Sequence, residues 1–308
     1  MYQNEKESYH QALIARLKGI SGVHVTPYTD DGEINESLLK KIVDRISCAG
    51  IHTIVSAGNT AEFYSLSPNE IQRVQCLAAE VNAGRSLMMM AVGRSLKEAI
   101  SRGKQAKHDG ADLLLIHQPM DPFASPNAQA EYFLRIAESV AIPVVAYIRS
   151  DAMTISDILI IARHKNIVGV KFASTNLILL SQCINETIYS DVAWICGLAE
   201  GWAAPFYSVG ARGFTSGFVN IKPEISLSIH SALEDGDYKK ARATVAKIAG
   251  FERMRTKYNN GANVTVVKEA LKILGFEVGK VRLPGQHQLS SDEHSELVAI
   301  INKLSDKI

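Results

Sequence analysis

Eight times along this chain a short apolar run is followed by a longer stretch with helical periodicity, and no other feature of the sequence restricts the fold as much. The runs lie at 19–25, 52–57, 87–92, 112–117, 143–147, 167–171, 192–196 and 213–216. A strand buried on both faces reads as a nearly continuous apolar, β-branched run, and these do. Strand then helix, repeated about every thirty residues, is the pattern of a parallel sheet built from right-handed βαβ units. Eight units in about two hundred residues match an α/β (β/α)8 TIM barrel, in which catalytic groups sit at the carboxyl ends of the strands. An open doubly wound sheet usually has about five or six strands and often a glycine-rich phosphate loop. Neither GxGxxG nor a Walker A pattern occurs here.

The intervening stretches carry helix signals of their own. In 36–49, Leu38, Leu39, Ile42, Val43 and Ile46 fall on one helical face. Ser67-Pro68-Asn69-Glu70 predicts a capping box, with Ser67 as N-cap, Pro68 at N1 and Glu70 at N3. A charged helix at about 5–17 precedes the first run. Three more helices, at 238–258, 264–274 and 291–304, follow the last, and Ala241, Val245, Ile248, Phe251 and Met254 give the first of them an apolar stripe. The expected organisation is an amino-terminal helical extension (1–18), a barrel (19–235) and an appended carboxyl-terminal helical bundle (236–308).

Charge and cysteine usage narrow the class. A net charge of +1 without a long basic run offers no electrostatic footprint for nucleic acid or an anionic membrane. No apolar run approaches the ~20 residues of a membrane span, and the amino terminus has no apolar core of a signal peptide. The expectation is a soluble, cytoplasmic protein. Cys48, Cys76, Cys183 and Cys196 are widely spaced; they read as reduced thiols, or as pairs if the protein were exported. No His/Asp/Glu/Cys set has metal-ligand spacing, so no metal or other cofactor is expected.

The carboxyl ends of the runs collect small, hydroxylated and cationic residues: Thr26, Gly58, Asn59, Thr60, Arg94, Tyr147, Arg149, Lys171, Gly197, Thr215 and Ser216. Lys171 closes an otherwise apolar strand, where an ammonium costs several kcal/mol unless it is paired or loses its proton. That loss is what a Schiff-base lysine requires; the other reading is a lysine reaching out of the strand end to water. A tyrosine at the end of the preceding strand, Tyr147, is coherent with the first reading, as a phenol that ferries the protons of imine formation, or else is a core tyrosine. The Gly58-Asn59-Thr60 turn and its N–H groups suit a substrate carboxylate, or form a plain turn. His117 reads as a polar core or loop residue rather than a catalytic base.

Together these residues resemble the dihydrodipicolinate synthase / N-acetylneuraminate lyase family of lysine-dependent (β/α)8 enzymes, over nearly the whole chain. Gly22-Val23-His24-Val25-Thr26-Pro27-Tyr28 with Asp31-Gly32 is similar to the family's opening strand and turn. Gly58-Asn59-Thr60-Ala61-Glu62, with Ser65-Leu66-Ser67 and Glu70, is similar to its carboxylate-binding signature. Gly169-Val170-Lys171 falls on its Schiff-base motif, Tyr147 on its strand-five tyrosine, and Gly210-Ala211-Arg212-Gly213 on its lead into the last strand. The resemblance implies an imine-forming lyase acting on a small 2-oxo acid, with Lys171 as nucleophile and Tyr147 as proton shuttle. Gly58, Asn59, Thr60, Arg149, Thr215 and Ser216 would bind substrate, and the family's assemblies imply a homodimer or homotetramer.

Three departures bear on the substrate. The stretch His117-Gln118-Pro119-Met120-Asp121-Pro122-Phe123 lacks the second relay tyrosine usual in dihydrodipicolinate synthases. Ala152 stands where they carry an arginine for the second substrate's carboxylate, and Asn59 replaces a relay threonine. Asn59, Glu62-Phe63-Tyr64-Ser65-Leu66 and Arg149 look more like the 5-dehydro-4-deoxyglucarate dehydratase branch, with dihydrodipicolinate synthase the alternative. A barrel that binds a 2-oxo acid without turnover, or a metal-dependent aldolase, are the readings from other classes.

Overall fold

The computed structural model describes residues 2–149, 151–286 and 288–305. In chain order its elements are α1 (Tyr2–Leu17), β1 (Ile20–Val23), α2 (Glu36–Cys48), β2 (Thr53–Ser56), α3 (Pro68–Asn82), β3 (Leu87–Val92), α4 (Leu96–Ala106), β4 (Leu113–Ile116), α5 (Pro126–Ser139), β5 (Val144–Ile148) and α6 (Ile155–Ala162). They continue as β6 (Ile167–Phe172), α7 (Leu177–Glu186), β7 (Ala193–Cys196), α8 (Glu200–Ser208), β8 (Phe214–Ser216), α9 (Pro223–Glu234), α10 (Tyr238–Arg255), α11 (Asn263–Ile273) and α12 (Ser291–Ser305). The strands close into a barrel in sequence order, β1 through β8. The alternation of runs therefore translates into the expected (β/α)8 barrel, with each strand end within two residues of the expected run.

Backbone contacts divide the chain into two compact units, residues 1–21 with 87–215 and residues 22–86 with 216–308. In the first unit β3, β4, β5, β6 and β7 pair in parallel, and every residue of these strands is buried. Burial on both faces is why they read as unbroken apolar runs. A register shift opposite β6 falls between Val144 and Val145, after which Tyr147 pairs with Lys171 and Ile148 with Phe172. Helix α1 packs on β6 and β7. Its Leu17 side chain reaches within 3.4 Å of where a methyl on Gly169 would sit. Leading into β8, Gly213 has φ +79°, and a side chain there would lie 2.5 Å from the Gly19 carbonyl. Only glycine allows this approach.

In the second unit α2 and α3 pack together, and α10 packs on α9, α11 and α12. The capping box of α3 forms as the sequence predicts: Glu70 N–H donates to Ser67 Oγ, and Ser67 N–H donates to the Glu70 carboxylate at 2.7 Å. The stripe on α10 buries Ala241, Ile248, Phe251 and Met254, with Phe251 edge-on to Phe218 at 5.0 Å between ring centres. Burying one such phenylalanine contributes about 2–3 kcal/mol. Among the described residues no helix is long and apolar enough to cross a membrane.

Candidate active site

Strands β5 and β6 set the first part of the site. Register partners on adjacent parallel strands share a face, so pairing Tyr147 with Lys171 aims both side chains the same way. Both are buried, Tyr147 to 5% and Lys171 to 7% residual exposure, and Lys171 Nζ lies 3.9 Å from the centre of the Tyr147 ring. Burial is the main force on the Lys171 amine, and the nearby Arg149 guanidinium adds to it. Together they bring its pKa down from 10.5 to about 7, against a smaller opposing influence of Cys196. An amine there is about half neutral at pH 7, which a lysine reaching into water would not be. The Cys196 thiol is pushed up to about 12, chiefly by its own burial, so it stays protonated.

Two further groups frame the Tyr147 ring. The Arg149 guanidinium lies 5.9 Å from its centre, and the imidazole of the fully buried His117 lies 5.7 Å away, tilted by 55°. His117 is thus a buried polar residue, as the sequence suggests, and it also borders the candidate proton shuttle. Gln118 fixes the backbone beside it: its carbonyl oxygen accepts the Arg149 N–H, and its amide donates to Gln129 Oε1 at 2.5 Å. Arg149 itself is exposed. Thr215, at the end of β8, is buried with a hydroxyl that has no hydrogen-bond partner.

The remaining expected binding residues lie in the second unit. After β2 the chain makes two successive 3-10 turns, Asn59–Ala61 and Phe63–Ser65, hinged at Glu62 in the left-handed region (φ 64°). Gly58 precedes the first turn, where a side chain would meet Val23 at 2.7 Å. Thr26 Oγ1 donates to the Ala61 carbonyl at 2.8 Å, and Thr60 is 95% buried. Ser216 is fully buried; its Oγ accepts the Val219 N–H at 3.1 Å and lies 3.3 Å from Ser226 Oγ on α9. Lys171, Tyr147 and Arg149 thus form one cluster, while Gly58, Asn59 and Thr60 form another.

Sequence reasoning missed what holds that second cluster. Glu62 Oε1 is 2.5 Å from Lys268 Nζ on α11, with side chains only 3% and 1% exposed, and Glu62 Oε2 accepts the Arg282 N–H at 2.8 Å. Tyr28 lies against both cations, 4.1 Å from Lys268 Nζ and 4.2 Å from the Arg282 guanidinium. Arg282 in turn pairs with Glu70 at 2.7 Å, which holds the Glu70 carboxyl down at about 2. The signal was available in one place: Lys268 falls on the i, i+3 row between Thr265 and Leu271, both buried. Among the described residues no group of three His, Cys, Asp or Glu side chains is arranged to hold a metal ion.

Comparison with known proteins agrees with this geometry. The model of the dihydrodipicolinate synthetase family matches residues 16–304. The 4-hydroxy-tetrahydrodipicolinate synthase of Methanothrix thermoacetophila is 29% identical, with 94% of this chain and 98% of that one covered. A Bradyrhizobium protein named "Probable 5-dehydro-4-deoxyglucarate dehydratase" is 27% identical, with 96% and 95% covered. The crystal structure of dihydrodipicolinate synthase from Oceanobacillus iheyensis superposes with a TM-score of 0.94 at 34% identity, covering 97% of this chain and all of that one. A closed barrel with a buried lysine and tyrosine in register, matched over nearly its whole length by the family and by these proteins, makes this chain a member of the dihydrodipicolinate synthetase family and a lyase.

Proposed function

We propose that the protein is a dehydratase of a keto-deoxy sugar acid, acting on a 2-oxo acid through an imine on Lys171. The observation that carries the imine step is the buried amine of Lys171, about half of it neutral at pH 7 and placed over the Tyr147 ring. The neutral amine attacks the 2-oxo carbon, and a proton transfer to the former carbonyl oxygen completes the carbinolamine. A second proton delivered to that hydroxyl lets it leave as water, giving the iminium. Tyr147 is the group that moves these protons. The iminium then acidifies the adjacent carbon; loss of a proton there gives an enamine, which expels a β-hydroxyl as water.

Gly58, Asn59 and Thr60 take the 1-carboxylate in this reading, through the N–H groups and hydroxyl of the first 3-10 turn. Arg149, exposed beside Tyr147, or Ser216 takes the distal part of the substrate, with Thr215, whose buried hydroxyl is unused, as a further binding residue. Asn59 and Arg149 favour the dehydratase branch, and Ala152 removes the arginine expected for an aldehyde partner's carboxylate. The second reading is 4-hydroxy-tetrahydrodipicolinate synthase, condensing pyruvate with aspartate semialdehyde; relatives with both names match the chain. We further read α10–α12 as a bundle appended to a barrel of residues 19–235, and the working protein as a cytoplasmic homodimer or homotetramer that needs no metal.

Borohydride reduction in the presence of 5-dehydro-4-deoxyglucarate, followed by peptide mapping, tests the reading. The expected product is a reduced adduct on Lys171 together with water loss in unreduced samples. An adduct with pyruvate and turnover only with aspartate semialdehyde selects the synthase. Imine formation with neither turnover leaves a binding barrel, and no adduct with either 2-oxo acid overturns the lysine mechanism.

A further inference from the structure

His117, Tyr147 and Lys171 form one row across three neighbouring strands. Ile116 of β4 pairs with Ala146 of β5, so His117 and Tyr147 follow side by side one residue further on, and Tyr147 pairs with Lys171 of β6. Neighbours in such a row share a face of the sheet. All three are buried, His117 with 1% residual exposure, and Tyr147 stands in the middle. The His117 imidazole lies 5.7 Å from the centre of its ring and Lys171 Nζ 3.9 Å. The backbone that carries the imidazole is pinned on both sides. His117 N–H donates to the Val92 carbonyl of β3 at 2.8 Å. The next residue, Gln118, accepts the Arg149 N–H just past β5 and donates to Gln129 Oε1 on α5.

Imine chemistry sets a proton balance that such a row can close. About half of Lys171 carries its extra proton at pH 7. An ammonium plus a ketone equals an iminium plus water, with no proton left over, but the ammonium has no lone pair with which to attack. Its proton has to leave before the carbon–nitrogen bond forms and return to the oxygen as the carbon–oxygen bond breaks. The Tyr147 phenol arrives already protonated, so it passes a proton on and holds no second one. A store beside it has to offer a lone pair and titrate near neutral pH. Imidazole, with an unperturbed pKa of about 6.5, has both properties. The other groups around the row do not. The Arg149 guanidinium releases no proton, and the Cys196 thiol, pushed up to about 12, keeps its own.

We propose that His117 is the proton store of the site, taking up and returning protons through the Tyr147 hydroxyl. This role rests on the imine reading of Lys171. The phenol gives its proton to the imidazole as it takes one from the Lys171 ammonium, and the freed amine adds to the carbonyl carbon. One proton then moves from the new ammonium to the alkoxide, giving the carbinolamine. The imidazolium returns its proton through the phenol to the hydroxyl, which leaves as water, and the nitrogen lone pair closes the iminium. The same store takes the proton from the adjacent carbon as the enamine forms and returns it to the departing β-hydroxyl. His117 works through Tyr147 and is a positioning residue, not one that touches substrate.

Hydrogen–deuterium exchange at the pyruvate methyl, followed by proton NMR in deuterium oxide, reads the store without a second substrate, because it needs only the iminium and its enamine. Pyruvate is the probe, replaced by 5-dehydro-4-deoxyglucarate if pyruvate traps no imine. Wild type, His117→Gln and His117→Ala are compared, with borohydride-trapped adduct and thermal unfolding measured on each. Lys171→Ala is the blank for exchange catalysed by free imidazole. The expected result is that His117→Gln traps the same final amount of imine at the same half-saturating pyruvate, while its maximal exchange rate falls about 10²-fold or more. Added imidazole restores exchange in folded His117→Ala and leaves wild type unchanged, which a packing role would not give. His117→Gln alone decides where His117→Ala does not fold. Exchange in His117→Gln equal to wild type, a fall matched by lost imine, or no rescue of folded His117→Ala overturns the store and leaves His117 a buried polar residue. Imine without exchange in wild type overturns the store alone. No adduct with either 2-oxo acid overturns the imine reading, and the store with it.

Discussion

The amine of Lys171 stands 3.9 Å above the centre of the Tyr147 ring, on the face of the phenol. The arrangement follows from strand register, which pairs the two residues across β5 and β6. A ring face attracts a cation, by about 0.5–2 kcal/mol, whereas burial disfavours one more strongly. The net effect lowers the pKa of Lys171, so burial wins.

The first consequence is kinetic. Imine formation needs the free amine, so at limiting pyruvate the initial trapping rate should fall about tenfold per pH step below 7 and level off above about pH 8. Timed borohydride quenching from pH 5 to 9 checks this. A midpoint near 10 would mean that Lys171 is solvated.

Stability should carry the same signature. Below pH 7 both folded and unfolded states hold the Lys171 proton, and the fold bears the full cost of a buried ammonium. Between about 7 and 10.5 the folded state has released the proton while the unfolded state keeps it, so stability rises with pH across that window. Lys171→Met removes the cost. Its advantage over wild type should be largest at or below pH 7, on the order of 4 kcal/mol, and should vanish by about pH 10.5. Urea unfolding of both proteins at pH 6.5, 8 and 10 measures the difference.

Replacing Tyr147 by phenylalanine keeps the ring under the amine and deletes the hydroxyl. The pH midpoint of trapping should stay near 7, while turnover falls about 10²- to 10⁴-fold. Unchanged turnover would assign the proton transfers to another group.

The buried Glu62–Lys268 pair should be asymmetric to mutation. Lys268→Met strands a carboxylate in the interior and should cost about 3–5 kcal/mol, whereas the double variant Glu62→Gln/Lys268→Met should recover most of that loss. Burial already brings Lys268 down to about 8 despite the attraction of Glu62. Denaturant midpoints of the single and double variants decide; additive losses would show that the pair is not coupled.

Much of the site was legible because strand ends are legible. Lys171 and Tyr147 terminate apolar runs, and a barrel places strand carboxyl ends on the catalytic face. Asn59 and Thr60 were legible for the same reason, as a small polar turn after β2. The two 3-10 turns and the left-handed Glu62 were not, because tight turns depend on which carbonyls and side chains arrive to satisfy them. Lys268 and Arg282 come from the carboxyl-terminal helices and their connecting segments, whose partners no local pattern names.

The sequence by itself determined the order and kind of the elements, since periodicity is a property of neighbouring residues, and it placed Lys171 and Tyr147 at consecutive strand ends. Tertiary structure alone decided that Tyr147 faces Lys171 in register, that burial brings the lysine's pKa down to about 7, and that Glu62 meets Lys268 in the interior. Register, burial and ion pairing join residues far apart in the chain. Their energies depend on the surrounding dielectric and packing, which exist only once the barrel has closed.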